Sequence, residues 1–469
     1  MSGEPPFAKD QDAAGDPGSA GLVRGLTYFD ATLVTVGAVL GTGAFLTTAD
    51  VARALPHPGL VLLAWACGGL LAIVGALTYA ELATMMPRAG GPYHFLKEAY
   101  GPLFGFLKGW VDFLVIMSGG IAALAVGFGE YLGAFIPFFS TRNVLASAGI
   151  LGYDWKLTGG AVAGVFAVIF FTATSLVGVR ESAMVQNLVT LLKIGAMVVL
   201  AVIGLFVPAT TTPDYTASAL PSSLISAFGV AMIGVLWTFD GWYGVTYLGG
   251  EMKEPSRDLP RAMITGVLGV TVLYLLLNVV YLRAVPIDQI PSHPRIAEAA
   301  AEALFGAGAA KVVSLAVMLS AFGCIGATIL YSTRTYLPMA RDGVFFQSLA
   351  VVHPKWRTPA ACILAQGAWT LVLTISGTYE ALYTYVVVIL FLFHAATGIA
   401  VFVLRARRPD WPRPYRVAGY PFVPALFVLT ALAFVINSLI ERPTESLFGF
   451  LILLLGIPAF AYWRRAHRP

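Results

Sequence analysis

The first long apolar stretch of this chain is interrupted near its centre by a glycine-rich run. The stretch covers residues 28–54, and Gly37–Gly43 within it has the sequence GAVLGTG. Lipid offers backbone N–H and C=O groups no partners, so an unwound segment at membrane depth must be satisfied by protein or line a cavity. A second interruption, Trp237–Trp242 (WTFDGW), lies in the sixth apolar stretch. Two broken helices at corresponding positions of two halves are typical of a transporter's substrate site, and the sequence predicts such a site here.

The composition excludes a soluble protein. Of the 469 residues, 58% are hydrophobic and 12% are charged, which is roughly half of the ~25% charged content of a soluble domain. The net charge of +4 is typical of cytoplasmic loops in a membrane protein and does not indicate a nucleic-acid partner. Cys67, Cys324 and Cys362 lie in apolar stretches without metal-ligand spacing, and the sequence contains no HExxH or GxSxG motif. We therefore expect no metal, no cofactor and no catalytic residues.

The apolar stretches predict an all-α polytopic membrane protein with twelve transmembrane helices. These fall near residues 28–54, 59–85, 103–136, 158–176, 184–207, 224–250, 259–284, 309–338, 359–377, 380–404, 421–441 and 445–463. Spans one to five (28–207) and six to ten (208–404) form two repeats, each starting with a broken helix. Because each repeat has an odd number of spans, the two run in opposite directions across the bilayer, which is the inverted 5+5 repeat of the leucine-transporter type. Residues 405–469 supply the last two spans and a short tail.

The distribution of Lys and Arg predicts the orientation. With the N-terminus inside, most of them fall in inward segments, for example Arg405, Arg407 and Arg408 after the tenth span. This positive-inside bias predicts that both termini are cytoplasmic, in the plasma membrane. The polar residues 1–27 lack an apolar core with a cleavage site, and we interpret them as a disordered cytoplasmic tail rather than a signal peptide.

The first interruption offers groups that complement both ends of an amino acid. Gly41, Thr42 and Gly43 leave free N–H groups at the start of a half-helix, where the partial positive charge suits a carboxylate. An unpaired carbonyl such as that of Val39, at the end of the preceding half-helix, suits an ammonium group. The alternative is a helix-packing face, since Gly37 and Gly41 also form a GxxxG pattern.

The second interruption adds aromatic and acidic side chains. Trp237 and Phe239 are placed to cover a bound substrate and gate its exit, although ordinary aromatic packing is an alternative. Asp240 is a carboxylate near mid-membrane, where charged groups are costly and usually functional. It could favour cationic substrates, hold the unwound backbone or carry a proton. Asp112, near the inner end of the third span, is expected to pair with a basic loop residue.

Four motifs give the chain a resemblance to the amino acid–polyamine–organocation superfamily, especially its L-type amino acid transporter branch. They are Gly37–Phe45 (GAVLGTGAF), Tyr79–Gly105 (YAELATMMPRAGGPYHFLKEAYGPLFG), Gly178–Lys193 (GVRESAMVQNLVTLLK) and Trp237–Pro260 (WTFDGWYGVTYLGGEMKEPSRDLP). With the span layout, the resemblance covers about residues 24–465. It implies alternating access to a central site, with substrate binding by Val39, Gly41, Thr42 and Gly43 and by Trp237, Thr238, Phe239, Asp240 and Gly241.

The resemblance also implies a role for Lys193 in the fifth span. Sodium-independent members have a lysine there, and its ammonium is expected to replace a cation between the first and eighth spans. The alternative is a side chain that extends to the inner interface. Thr42-Gly43-Ala44 stands where Ser-Gly-Ile is common, and Pro92 replaces an acidic residue often found there. Residues 137–157 contain no cysteine, so the disulfide-linked accessory subunit of animal members is not expected.

These observations predict a sodium-independent transporter of neutral L-amino acids that works by exchange or with protons. A carrier of cationic amino acids or polyamines is the alternative that Asp240 favours. From another class, a nutrient sensor that binds an amino acid without transporting it also fits the sequence.

Overall fold

The computed structural model describes residues 22–150, 153–215, 220–221, 223–376, 379–441 and 443–466. In this part the chain is almost entirely helical. The helices are α1 (Tyr28–Val39), α2 (Gly43–Ala54), α3 (Pro58–Met85), α4 (Pro92–Tyr100), α5 (Pro102–Val111), α6 (Met117–Leu132), α7 (Gly159–Val177), α8 (Val179–Phe206), α9 (Leu224–Phe239), α10 (Pro255–Ala284), α11 (Ile296–Phe305), α12 (Ala309–Ser332), α13 (Tyr336–Arg341), α14 (Ala360–Ser376), α15 (Tyr379–Arg407), α16 (Phe422–Glu441) and α17 (Pro443–Ala466).

Among the described residues, nine helical segments are long and apolar enough to cross a membrane, or ten if α1 and α2 form one span bent by 43°. The apolar helices α9 and α14 are shorter, with 16 and 17 residues. Each predicted span contains one of these helices, and most boundaries agree within a few residues. The chain is thus a multi-pass helical membrane protein, while the number twelve and the inverted repeat stay predictions.

A β-hairpin is the exception to the predicted all-α architecture. Strands β1 (Val144–Ile150) and β2 (Tyr153–Thr158) pair antiparallel between α6 and α7. Thr158 ends the hairpin and caps α7, since its side chain accepts a hydrogen bond from the amide of Ala161. The hairpin was not predicted because it lies in a loop that was examined only for cysteine.

Local sequence signals fix the starts of the first helices. Thr27 and Asp30 form a capping box at α1, in which each side chain accepts a hydrogen bond from the other's backbone amide. His57 accepts from the amide of Gly59 at the start of α3, where Pro58 occupies the first helical position. The starts of α1 and α3 are therefore both set by capping residues in the sequence.

The packing of the helices places α1, α2 and α9 at the centre. α1 packs on α10 and α8, α2 packs on α9, and α6 packs on α12 and α7. α3 packs along α10, whereas α16 lies against α15 and α3. The helices packed directly against α1, α2 and α9 include α3, α8, α10 and α12.

The end of the predicted tail is ordered. Residues 1–21 lie outside the described part of the chain. Leu26, however, is buried, and its amide donates to the carbonyl of Glu251 (3.0 Å) while its carbonyl accepts from the amide of Lys253 (3.0 Å). The predicted disordered tail therefore extended too far toward α1. The sequence did not reveal this because Leu26 forms its hydrogen bonds with a segment more than two hundred residues away.

Candidate substrate site

The first interruption is a true break in the helical hydrogen-bond ladder, but it is shorter than predicted. α1 continues to Val39 and α2 begins at Gly43, so only Leu40–Thr42 is non-helical. The amide of Gly41 donates to the carbonyl of Val39 (2.7 Å). In a continuous helix that amide would serve the carbonyl of Gly37, four residues earlier. The break therefore removes the usual donor from the Gly37 carbonyl and frees the first amides of α2.

The second interruption begins later than predicted. Trp237, Thr238 and Phe239 remain in α9, and the chain leaves the helix at Asp240, which is extended (ψ 158°). Gly241 follows with φ +102°, a conformation that favours glycine. Short 3-10 turns then continue the chain, with no α-helix before α10.

The two interruptions touch each other. A Cβ atom on Gly43 would lie 2.5 Å from Oγ1 of Thr238, and one on Gly241 would lie 2.9 Å from the carbonyl oxygen of Ala38. Thr238 also shares a hydrogen bond of 2.9 Å with Thr47 of α2. Glycine is required at both contacts because any side chain would push the two segments apart.

A cavity of about 80 Å³ lies between the interruptions. Its lining includes eight of the predicted substrate residues: Val39, Gly41, Thr42, Gly43, Trp237, Thr238, Asp240 and Gly241. Phe239 is placed elsewhere: it is buried, and its ring packs against Trp65 and Tyr274 with centroids 6.0 and 5.1 Å away. The structure therefore brings together the predicted residues of both motifs, with Phe239 supporting the site from behind.

The sequence analysis expected the carbonyl of Val39 to be unpaired, but it has hydrogen-bond partners. It accepts a hydrogen bond of 2.9 Å from the hydroxyl of Tyr274 in α10. The neighbouring carbonyl of Ala38 accepts a contact of 3.0 Å from the thiol of Cys324. A carbonyl oxygen has two lone pairs, and at Val39 the amide of Gly41 (2.7 Å) and the hydroxyl of Tyr274 use both of them.

Lys193 is completely buried and reaches the first interruption from α8. Its ammonium donates to the carbonyls of Gly37 (2.7 Å) and Leu40 (2.8 Å). The carbonyl of Leu40 also accepts from Ser320 of α12 (2.7 Å). The side chain therefore does not extend to the interface; it lies between α1 and α12 and replaces the donor that the Gly37 carbonyl loses at the break.

Several lining residues were missed by sequence analysis. A π-helical turn, Asp112–Ile116, joins α5 to α6 and places Ile116 and Met117 on the cavity. Such turns are frequent at functional sites. α12 contributes Cys324, Thr328 and Tyr331. Nothing local in the sequence marks these residues, because their proximity arises only when α6 and α12 pack around the break.

Asp240 has a partner outside the cavity. Its Oδ1 lies 3.3 Å from Nε2 of His394 in α15, and Nδ1 of that ring lies 2.8 Å from the hydroxyl oxygen of Tyr79 in α3. His394 received no role in the sequence analysis, which considered histidines only for metal binding. Its partners are 154 and 315 residues away in sequence, so no local pattern indicated them.

Two ion pairs, one of them fully buried, connect the segments around the site. Arg334 binds both carboxylate oxygens of Glu251 (2.7 and 3.3 Å), and both side chains are fully buried. Arg405 binds both oxygens of Glu81 (2.8 and 2.6 Å). These contacts tie the segment after α9 to the end of α12, and α3 to α15.

Asp112 is paired differently from the prediction. It forms a buried ion pair with Lys108, one turn earlier, and accepts a hydrogen bond of 3.1 Å from the hydroxyl of Tyr247. No basic loop residue is its partner among the interactions described for it. The pair links the π-helical turn to the segment that follows the second interruption.

Comparison with known proteins decides the family. Residues 26–458 match the family described as "Amino acid permease". The chain belongs to this family. The permease is 31% identical to the serine/threonine exchanger SteT of Bacillus subtilis, over 94% of this chain and 97% of the exchanger.

Mammalian relatives are similar over nearly the same length. Human "Large neutral amino acids transporter small subunit 2" is 28% identical over 99% of this chain and 86% of its own. The human "b(0,+)-type amino acid transporter 1" is 28% identical over 94% and 88%. The resemblance to the amino acid–polyamine–organocation superfamily and its L-type branch is confirmed: the permease is a membrane-embedded amino acid transporter and not an enzyme.

Proposed function

We propose that this permease is a sodium-independent carrier of small neutral L-amino acids, exposing one central site alternately to the two sides of the membrane. The observation that carries the proposal is the cavity between the two interruptions. The start of α2 at Gly43 offers amide donors to a carboxylate, while the carbonyl of Val39 lies at the opposing helix end. A zwitterion between these two helix ends has its carboxylate at the partially positive start of α2 and its ammonium group at the partially negative end of α1.

The size of the cavity supports a small side chain. At roughly 10–15 Å³ for each water molecule, its volume of about 80 Å³ corresponds to about five to eight waters. This space is comparable to the size of alanine or serine and is small for an aromatic amino acid. The similarity to a relative named a serine/threonine exchanger supports both the size class and an exchange mode.

The position of Lys193 supports transport without sodium. Its ammonium already supplies a positive charge to the carbonyls of Gly37 and Leu40, which are the kind of oxygen ligand that an alkali cation would use. Substrate uptake is therefore expected to be the same in sodium and in choline buffers.

A cationic amino acid or polyamine carrier is the second candidate, because Asp240 lines the cavity. Competition separates the two. In proteoliposomes, arginine and putrescine should compete poorly with labelled alanine if neutral substrates are preferred, and strongly if cations are.

We further propose twelve spans in a leucine-transporter-type 5+5 repeat, a plasma-membrane location, cytoplasmic termini and no disulfide-linked accessory subunit. The predicted spans and the distribution of Lys and Arg support this arrangement. Tags at each end should be protected from protease in right-side-out vesicles and cleaved after permeabilisation. Cleavage of either tag in intact vesicles would contradict the orientation.

Counterflow tests the central proposal. Proteoliposomes loaded in turn with each amino acid should accumulate external label when alanine or serine is inside. Binding of alanine without any flux would instead indicate a nutrient sensor, and accumulation only with internal arginine would favour the cationic carrier.

A further inference from the structure

A buried imidazole lies directly behind the carboxylate of the substrate cavity. His394 is 3% exposed and lies between Asp240 on its Nε2 side and Tyr79 on its Nδ1 side. Its ring stacks on the indole of Trp242, with centroids 5.6 Å apart and an interplanar angle of 20°. The proposed function makes no use of this ring, although histidine is the side chain that changes charge most readily near neutral pH.

The hydrogen bonds around His394 can satisfy the ring both with and without a proton. In the neutral ring, Nε2–H donates to Asp240 and Nδ1 accepts from the hydroxyl of Tyr79. In the protonated ring, Nδ1–H donates to the hydroxyl oxygen of Tyr79. The Tyr79 hydroxyl then turns and donates its own hydrogen to Thr397, with which Tyr79 also interacts. The Thr397 hydroxyl donates its own hydrogen to the carbonyl of Phe393 (2.8 Å), so its oxygen remains available as an acceptor. Neither state leaves a buried polar atom of this network without a partner.

The ring also has contact with a space large enough for water. A void of about 20 Å³, lined in part by Asp240, His394 and Thr430, adjoins the ring. A single water molecule needs roughly 10–15 Å³ and at least two polar partners. Because Asp240 lines both this void and the substrate cavity, a proton can reach the ring from the side to which the cavity opens.

The charged and titratable groups around the ring do not already neutralise Asp240. The ring faces Asp240 and Tyr79, and Tyr243 stands edge-on to it with centroids 4.9 Å apart. α16 presents an aromatic ring to it and no charge. Further away, Asp112 interacts electrostatically with the ring, but Lys108 already compensates that carboxylate.

We propose that Asp240 and His394 together form a proton-binding site, and that a proton on His394 accompanies each neutral amino acid. A zwitterion brings no net charge into the closed cavity, so the carboxylate of Asp240 would remain uncompensated in a medium of low dielectric constant. A proton on the adjacent imidazole compensates it. The inference rests on the proposed function, since it names the ion that travels with the same substrate.

A cationic side chain would make the proton unnecessary. The ammonium or guanidinium of lysine or arginine carries the positive charge that Asp240 requires, so its binding and protonation of His394 exclude each other. No covalent bond changes in either case: the proton is taken from water on one side and returned to water on the other. Neutral substrates should therefore move protons, whereas cationic ones should not.

The test uses full-length permease in liposomes that contain a pH-sensitive dye. Labelled alanine or serine is added outside, and uptake of the label and internal acidification are followed together. A parallel experiment uses arginine as the cationic substrate. The variants are His394→Gln, which keeps hydrogen-bonding capacity without titration, and His94→Gln as a matched buried control. Burial, together with Arg88 and Lys97, lowers the pKa of His94 to about 4, so this ring stays neutral throughout the experiment.

The wild type and His94→Gln should acidify the lumen when alanine enters. Their uptake should rise about tenfold from about pH 7.5 to about pH 5.5 outside, the range in which histidine gains its charge. His394→Gln should exchange alanine at equal pH without proton movement and without this pH dependence. A wild type that takes up net alanine into amino-acid-free liposomes without acidification, or a His394→Gln variant with unchanged pH dependence, overturns the proton site and leaves the proposed function intact. Absence of counterflow with every amino acid overturns the proposed function itself.

Discussion

Replacing Lys193 by methionine tests how the first interruption is held open. The ammonium is buried and donates to the carbonyls of Gly37 and Leu40. Methionine has a similar length but no donor, so Lys193→Met removes both hydrogen bonds with little change in packing. The two carbonyls are affected unequally, because Leu40 keeps the hydrogen bond from Ser320 (2.7 Å).

The expected size of the effect on transport follows from the carbonyl of Gly37, which is the one left without a donor. The amide that would serve Gly37 in a regular helix is engaged with Val39 instead. A hydrogen bond to a charged group contributes about 1.5–3 kcal/mol. At 1.4 kcal/mol per factor of ten, Lys193→Met should reduce the population with a working site by about tenfold to about 100-fold.

The assay is the initial rate of alanine counterflow, normalised to protein that elutes as a single folded species. Lys311→Met, at the exposed start of α12, is the control for loss of a positive charge and should behave as the wild type. A rate within about twofold of the wild type, equivalent to less than ~0.5 kcal/mol, would show that the break does not depend on this side chain.

Three further substitutions probe the site and its support. Gly43→Ala should lower counterflow by about tenfold, since a clash with Thr238 costs about 1–3 kcal/mol; normal transport would mean that the two interruptions separate freely. Glu251→Gln should destabilise the protein by about 3–5 kcal/mol, because it leaves a buried arginine uncompensated. Glu254→Gln, in an exposed pair, should change the stability by less than about 1 kcal/mol. Equal thermal melting temperatures of the two variants would refute this difference. Where arginine inhibits alanine uptake by the wild type, Asp240→Asn should weaken that inhibition at least about tenfold, and unchanged inhibition would exclude contact with the cationic side chain.

Much of the site could be predicted because its main signals are local. Gly41 and Gly43 in an otherwise apolar stretch, and Asp240 before Gly241, are local signals of a break, although Gly37 and Gly41 also fit a helix-packing pattern. The second break was nevertheless predicted three residues early. Nothing in Trp237–Phe239 opposes a helix, and only the positive φ of Gly241 forces the chain to leave it.

The partners of the break residues could not be predicted, because they come from distant parts of the chain. The side-chain donor to the Val39 carbonyl is Tyr274, 235 residues later, and His394 reaches Asp240 only through the packing of α15. Lys108 and Asp112 are different: they are four residues apart in one helix, a spacing that places their side chains on one face. This pair was visible in the sequence and was overlooked in favour of a loop partner.

The hydrogen bonds at Leu26 give the permease an intrinsic probe of local opening. The amides of Leu26 and Lys253 are both engaged in a short backbone ladder that joins the start of the chain to the segment after α9. Neither can exchange its hydrogen with solvent deuterium until that ladder separates. Their exchange rates therefore measure how often this contact opens, with no label attached to the moving parts, and a bound substrate that favours the closed state should slow the exchange of both amides.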